Sequence, residues 1–167
     1  MSSRRKAREA VLRALYLCES RGVTVDEAFA EMSAVDRELS RRAGEPDIET
    51  LSPFALGITG ESLNYARALA HVIEDSRESF NERIGPVLKN WDLKRLSRID
   101  RIILWIALAE LDSMIEIPPA VAIDEAIELA RKYSSHKSPG FVNGVLDAIA
   151  RDMGRVGAHG VRKIKKE

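Results

Sequence analysis

The chain has 167 residues, close to the roughly 150 of an ordinary domain, so a single domain with a full hydrophobic core is expected. Hydrophobic residues make up 45% and charged residues 31%, which excludes the low-hydrophobicity disordered class, and no apolar run approaches the ~18 residues needed to span a bilayer. Net charge is zero, with 26 basic and 26 acidic side chains, and Cys18 is the single cysteine; no internal disulfide can form, the charged start lacks the apolar region of a secretory signal, and the cytoplasm is the expected compartment.

Apolar side chains recur at three- and four-residue spacing and no alternation of period two is sustained, so the fold class is all-α. A first helix is predicted from about Arg4 to Ser20, with Ala7, Ala10, Val11, Ala14, Leu15 and Cys18 on one face and Gly22 ending it. Thr24 and Glu27 have the spacing of a capping box, which satisfies two exposed backbone donors and starts a second helix carrying Val25, Ala28, Phe29 and Met32. From Ala34 to Ser52 the charges and the breakers Gly44 and Pro46 predict a short extension of that helix and then a connection; the whole stretch to Ser62 can pack as extra helix or be solvated, and the solvated reading is preferred. Ser52-Pro53 has the form of a helix start, but Gly57 and Gly60 weaken any helix there, and a long helix is predicted from about Glu61 to Ile84, which Gly85-Pro86 ends.

The segment from Trp91 to Leu111 is apolar on all sides over its second half, the mark of a helix buried in the middle of a domain. Pro118-Pro119 opens a helix reaching Tyr133, and Ser138-Pro139 caps a last one with Phe141, Val142, Val145, Leu146, Ile149 and Met153 at helical spacing. Gly154, Gly157 and Gly160 mark a loose tail. Neither a long heptad run nor a repeat of solenoid length is present, which leaves a compact helical bundle.

The zero net charge hides an uneven distribution. Residues 1–13 carry Arg4, Arg5, Lys6, Arg8 and Arg13 against Glu9, and residues 155–167 carry Arg155, Arg162, Lys163, Lys165 and Lys166 against Glu167, so each end is net +4 and the body is net −8. Basic ends on an acidic body suit phosphate binding at an edge, although solvated, frayed termini would look the same.

A catalytic constellation does not emerge. His71, His136 and His159 have no cysteine or carboxylate at metal-ligand spacing, Cys18 lies on an apolar helix face as a structural thiol would, and the terminal glycines follow no strand. Asp124, Glu125 and Glu128 could mimic a carboxylate site, but Arg131 and Lys132 stand three and four residues beyond Glu128 as ion-pair partners, so a solvated face is the better reading. No enzyme activity, cofactor or metal is expected.

Two stretches combine cations, an aromatic ring and small polar residues, the mixture that holds single-stranded RNA by phosphate pairing, base stacking and hydrogen bonding. One is Arg4-Arg5-Lys6-Ala7-Arg8 leading to Tyr16. Cations in a first helical turn oppose the helix dipole unless an anion offsets them, whereas a disordered arm would incur no such conflict. The other is Arg131-Lys132-Tyr133-Ser134-Ser135-His136-Lys137-Ser138, between the last two helices. There Ser138 is equally readable as a helix cap and Tyr133 as a core edge.

Arg-Arg-Lys-Ala-Arg-Glu-Ala at the start, Ala14-Leu15-Tyr16, the Trp91 to Leu111 segment, Val121 to Ala130, and Phe141-Val142-Asn143-Gly144-Val145-Leu146-Asp147 together resemble the NusB family of transcription antitermination factors, in order over about residues 4–153. The resemblance implies about seven helices in two packed subdomains, about 4–84 and 91–153, within one RNA-binding domain, 1–154, followed by a basic flexible tail, 155–167. It further implies a non-enzymatic protein that binds boxA-type RNA in nascent ribosomal transcripts together with NusE, a small-subunit ribosomal protein, as part of an antitermination complex on RNA polymerase. Carried over by position, the RNA-binding residues are Arg4, Arg5, Lys6, Arg8 and Tyr16, then Arg131, Tyr133, Ser134, Ser135, Lys137 and Ser138, with Asn143 supporting the turn or touching RNA. The partner contact falls in Leu93 to Arg101, with Asp100 a charged contact and Lys94, Arg98 and Arg101 a basic stripe.

The chain departs from the family pattern in places. Pro119 and Ala120 follow Pro118 where an aromatic and a lysine can serve RNA, Asp124 stands where Asn is commoner, and Lys137 adds a phosphate-competent charge. Homodimerisation that hides the RNA face is left open. Two other readings compete: a helical interaction module without specific RNA binding, and the RNA-binding part of a ribosomal RNA methyltransferase, for which the chain offers no strands or glycine-rich loop.

Overall fold

The structure, a computed structural model, describes residues 3–43, 54–88, 96–114 and 116–154. Among them are six α-helices and no strand: α1 (Ser3–Arg21), α2 (Val25–Arg41), α3 (Gly60–Ile84), α4 (Arg98–Ser113), α5 (Pro119–Tyr133) and α6 (Ser138–Asp152). None is long and apolar enough to cross a membrane. The chain separates into two compact units, Met1–Glu74 and Asp75–Glu167, with the division inside α3. The subdomains expected from sequence, about 4–84 and 91–153, differ in giving all of α3 to the first.

In the first unit α1 packs on α2. The predicted stripe of α1 is buried from Ala7 to Cys18, but Arg8, Glu9 and Leu12 are buried with it, so the middle of this helix is enclosed rather than one-sided. Gly22 ends α1 in the left-handed region at φ 70°, which glycine adopts without a Cβ clash, and its N–H donates to the Cys18 carbonyl at 2.9 Å. The capping box then starts α2: Thr24 N–H donates to Glu27 Oε2 at 2.7 Å, and Glu27 N–H donates to Thr24 Oγ1 at 3.2 Å. Hydrogen bonds from Thr24 hold the Glu27 carboxyl below its ordinary value, the backbone bond most and the Thr24 side chain next. Val25, Ala28, Phe29 and Met32 form the buried face of α2, as their spacing predicts.

The expectation of a solvated connection is corrected over its last part. Ala55, Leu56 and Ile58 are buried, because backbone groups in this stretch find partners on both helices. The Arg13 guanidinium donates to the carbonyls of Ala55 at 2.6 Å and Leu56 at 3.2 Å, Leu56 N–H donates to the Met32 carbonyl, and Gly57 N–H reaches the Asp36 carboxylate. Arg13 therefore serves as an internal clip rather than as part of a free basic end. The Ser52-Pro53 helix start lies outside the described residues.

In the second unit α3 ends at Ile84 and a single 3₁₀ turn, Gly85–Leu88, follows. Ser97 is the N-cap of α4, its Oγ accepting from Asp100 N–H at 3.0 Å; residues 91–95, and with them Trp91 and Lys94, lie outside the described residues. Every residue from Ile102 to Leu111 is buried, including Glu110. An isoleucine or leucine so enclosed contributes about 1.5–3 kcal/mol over an exposed one, which explains why a helix with no polar face is stable here. Around it α5 and α6 pack on α4 and on each other. Pro119 opens α5 at its first turn, where the missing N–H costs nothing, and α5 buries Ala122, Ile123, Ala126, Leu129 and Ala130. Arg83 fastens the end of α3 by donating to Asp112 Oδ2 at 2.5 Å and to Met153 Sδ at 2.9 Å.

Candidate nucleic-acid interface

The first cluster is the opening of α1, whose first turn is Ser3-Arg4-Arg5-Lys6. The chain is helical from Ser3, so these cations do sit against the positive end of the helix dipole, an arrangement costing a few tenths of a kcal/mol each unless an anion is bound. Arg4 and Lys6 are exposed and Arg5 is half-buried. Arg8 is only 2% exposed, because it lies on the enclosed middle of α1. Its burial gives it a place in the packing of that helix rather than an outward charge. Tyr16, two turns further on, is 43% exposed. An aromatic that sequence reasoning passed over joins the cluster: the Arg4 guanidinium lies over the Tyr65 ring, 5.4 Å from its centroid. The only clue in the sequence is an aromatic in the first turns of α3, too little to pair it with a residue so distant in the chain.

The second cluster is the turn between α5 and α6. Arg131 and Lys132 occupy the last turn of α5, where cations complement the dipole. Arg131 pairs with Glu128 as its spacing predicts, and Lys132 Nζ lies 5.1 Å from the Tyr133 ring centroid. An exposed pair of this kind is worth at most about 1 kcal/mol, so a phosphate can compete for the guanidinium. Ser135, His136 and Lys137 are exposed, while Tyr133, Ser134 and Asn143 are half-buried. Asp124 on the same helix is exposed, in keeping with a solvated acidic face.

Ser138 does not cap α6. The helix begins at Ser138, Lys137 precedes it with helical dihedrals, and no side chain caps the end. Ser138 is instead 3% exposed, and its hydroxyl donates to Asp100 Oδ2 on α4 at 3.0 Å. Asp100 is 7% exposed, so the residue expected to meet a protein partner points inward to Ser138. The carboxylate acceptor makes this bond charge-assisted, and burial of both ends shields it from competing water. Within the basic stripe Arg98 is exposed, and Arg101 is half-buried over the Trp105 ring at 5.3 Å. Arg77 lies over the same ring at 5.9 Å, and the indole N–H donates to Asn81 Oδ1 at 2.9 Å.

Among the described residues no group of histidine, cysteine and carboxylate side chains could hold a metal ion. His71 faces Asp26 and Glu74, each at 3.4 Å, as a surface histidine among carboxylates does. Cys18 is buried on α1.

A helical chain with exposed cations at one helix start and at one interhelical turn has the surface chemistry that a polyanion ligand requires. Comparison with known proteins places it further. The NusB family profile matches residues 5–151. The transcription antitermination protein NusB of Clostridium botulinum (strain Kyoto / Type A2) is 38% identical over 144 residues, 86% of this chain and 96% of the relative. The solved structure of T. maritima NusB matches with a TM-score of 0.66 at 30% identity, covering 91% of this chain and 93% of that one. A structure of the antitermination factors NusB and NusE in complex with double-stranded RNA shares the fold, with a TM-score of 0.71 at 24% identity over 91% of this chain and 98% of that one. The chain belongs to the NusB family.

Proposed function

We propose that the chain is a transcription antitermination factor that binds boxA-like single-stranded RNA in nascent ribosomal transcripts, together with NusE, and keeps RNA polymerase processive. It acts in the cytoplasm and performs no catalysis. The observation that carries the reading is the α5–α6 turn, where exposed Lys137, Ser135 and His136 stand beside Arg131 on a turn held from beneath by a buried hydrogen bond. Cations there neutralise phosphates, and hydroxyls and a ring within the same eight residues supply groups able to distinguish bases.

Arg4, Arg5 and Lys6 at the start of α1 supply further phosphate contacts, and Tyr16, exposed further along the same helix, offers a stacking surface. Arg8 supports this turn from within. Lys137 partly offsets the missing lysine after Pro118. Arg98 and Arg101 contribute to the surface for NusE, and Asp100 serves that surface only indirectly. Family membership supports the antitermination role, since relatives 34–38% identical bear the name of antitermination proteins, and a chain of the same fold is solved together with NusE.

The test is a titration of a boxA-like RNA against a scrambled RNA of equal length, with and without NusE, at two salt concentrations. Selective binding that NusE strengthens is the expected result. Equal, weak binding to both RNAs in every condition would leave a helical interaction module with solvated basic ends.

A further inference from the structure

The hydrogen inventory of the α5–α6 turn fixes a direction that the heavy-atom distances alone do not. Ser138 Oγ lies 2.9 Å from Ser134 Oγ and 2.9 Å from Ser135 Oγ, and it donates to Asp100 Oδ2 at 3.0 Å. A hydroxyl has one hydrogen and two lone pairs, and a carboxylate has no hydrogen to give. Ser138 has given its hydrogen to Asp100, so it accepts from both other serines. Ser134 and Ser135 therefore direct their hydrogens inward, and the exposed Ser135 oxygen presents only lone pairs to solvent.

We infer that Asp100, acting through Ser138, makes Ser135 a hydrogen-bond acceptor at the surface, which takes a donor group of RNA rather than a phosphate oxygen. That donor is a ribose 2′-hydroxyl or a base amino group. The inference rests on the RNA reading above and adds a selectivity to it. Lys137 and Arg131 offer only donors, suited to phosphate, and Ser135 beside them offers the complementary acceptor. Asp100 is thus a positioning residue. Its Oδ1 is buried and has no hydrogen-bond partner among the described residues, so the Ser138 hydroxyl is the side-chain donor that holds its carboxylate.

The experiment titrates the full chain with three oligonucleotides of one boxA-like sequence: RNA, its 2′-deoxy form, and RNA stripped of base amino groups, with inosine in place of guanosine, purine in place of adenosine and the pyrimidin-2-one nucleoside in place of cytidine. The unmodified RNA is expected to bind roughly 3- to 10-fold tighter than one of the other two, the range of a single neutral hydrogen bond. The weaker oligonucleotide identifies the ribose or the base as the donor. Ser135→Ala should lose that preference. Ser138→Ala, which returns the Ser135 hydrogen to solvent, should narrow it as well; if this buried change unfolds the chain, the exposed Ser135→Ala still decides. Equal affinity of the native chain for all three, or an equal loss on all three in Ser135→Ala, would overturn the inference while leaving RNA binding intact. Failure of the native chain to bind any of them would overturn the RNA reading itself.

Discussion

The opening of α1 and the α5–α6 turn carry similar charges for different physical reasons. Arg4, Arg5 and Lys6 stand where the helix dipole disfavours them, whereas Arg131 and Lys132 stand where it favours them. The dipole gives the first group no support, and an anion bound there, as proposed above, would offset the conflict. The second group is explained by helix stability alone, and the functional sign in that region is the serine relay beneath it. Charge in the wrong place and polar groups in a buried place are thus the two separate features on which the proposed binding surface rests.

The largest effect lies in the helix on which the turn depends. Ile103→Ala or Ile106→Ala, in positions 0% and 1% exposed, should destabilise the chain by about 2–5 kcal/mol, measured by denaturant unfolding. A harmless outcome would mean that α4 is not the centre of its unit. Ser138→Ala comes next, because it leaves the Asp100 carboxylate buried without its hydroxyl donor. Thermal unfolding should register a loss of about 1–3 kcal/mol. Arg8 and Arg4 then divide the first region. Arg8→Ala removes a buried stem and should cost stability, while Arg4→Ala, which gives up the Tyr65 contact but relieves the dipole conflict, should leave stability nearly unchanged. Equal effects of the two substitutions on the melting temperature would erase the distinction drawn between them.

The smallest effect is on acid sensitivity. Glu27 is held below its ordinary value of 4.5 by its bonds with Thr24, so its carboxylate is favoured in the folded chain. That contribution is complete above 4.5 and is lost as pH falls through the depressed folded value. Thr24→Ala should therefore flatten the stability profile on the acid side, and an unchanged profile would show that the box does not hold the carboxylate.

Local signals were legible where the chain's own neighbours determine the outcome. Thr24 with Glu27 marked the start of α2, Pro118-Pro119 and Tyr133 bracketed α5, and the all-round apolar run of Ile102 to Leu111 announced a buried helix. Residues whose partners lie far along the chain were not legible. Ser138 read as a cap because proline follows it, yet its partner Asp100 is 38 positions away and meets it only through the packing of α4 against α6. Arg13 read as one more terminal cation, but its guanidinium is used by carbonyls 42 and 43 positions on. Helical spacing says which residues share a face; it does not say whether a second element covers the charge on that face, which is why Arg8 and Asp100 looked exposed in the sequence.

The salt dependence of RNA binding tests the account most directly, with the native chain compared with the Arg4→Ala, Arg5→Ala, Lys6→Ala triple variant on a boxA-like single strand. Each phosphate neutralised on a single strand adds about 0.7 to the slope of log affinity against log salt, so the triple variant should bind more weakly with a slope shallower by about 2. Its helical content should be unchanged. An affinity and slope equal to those of the native chain would contradict the assignment of the α1 opening to RNA.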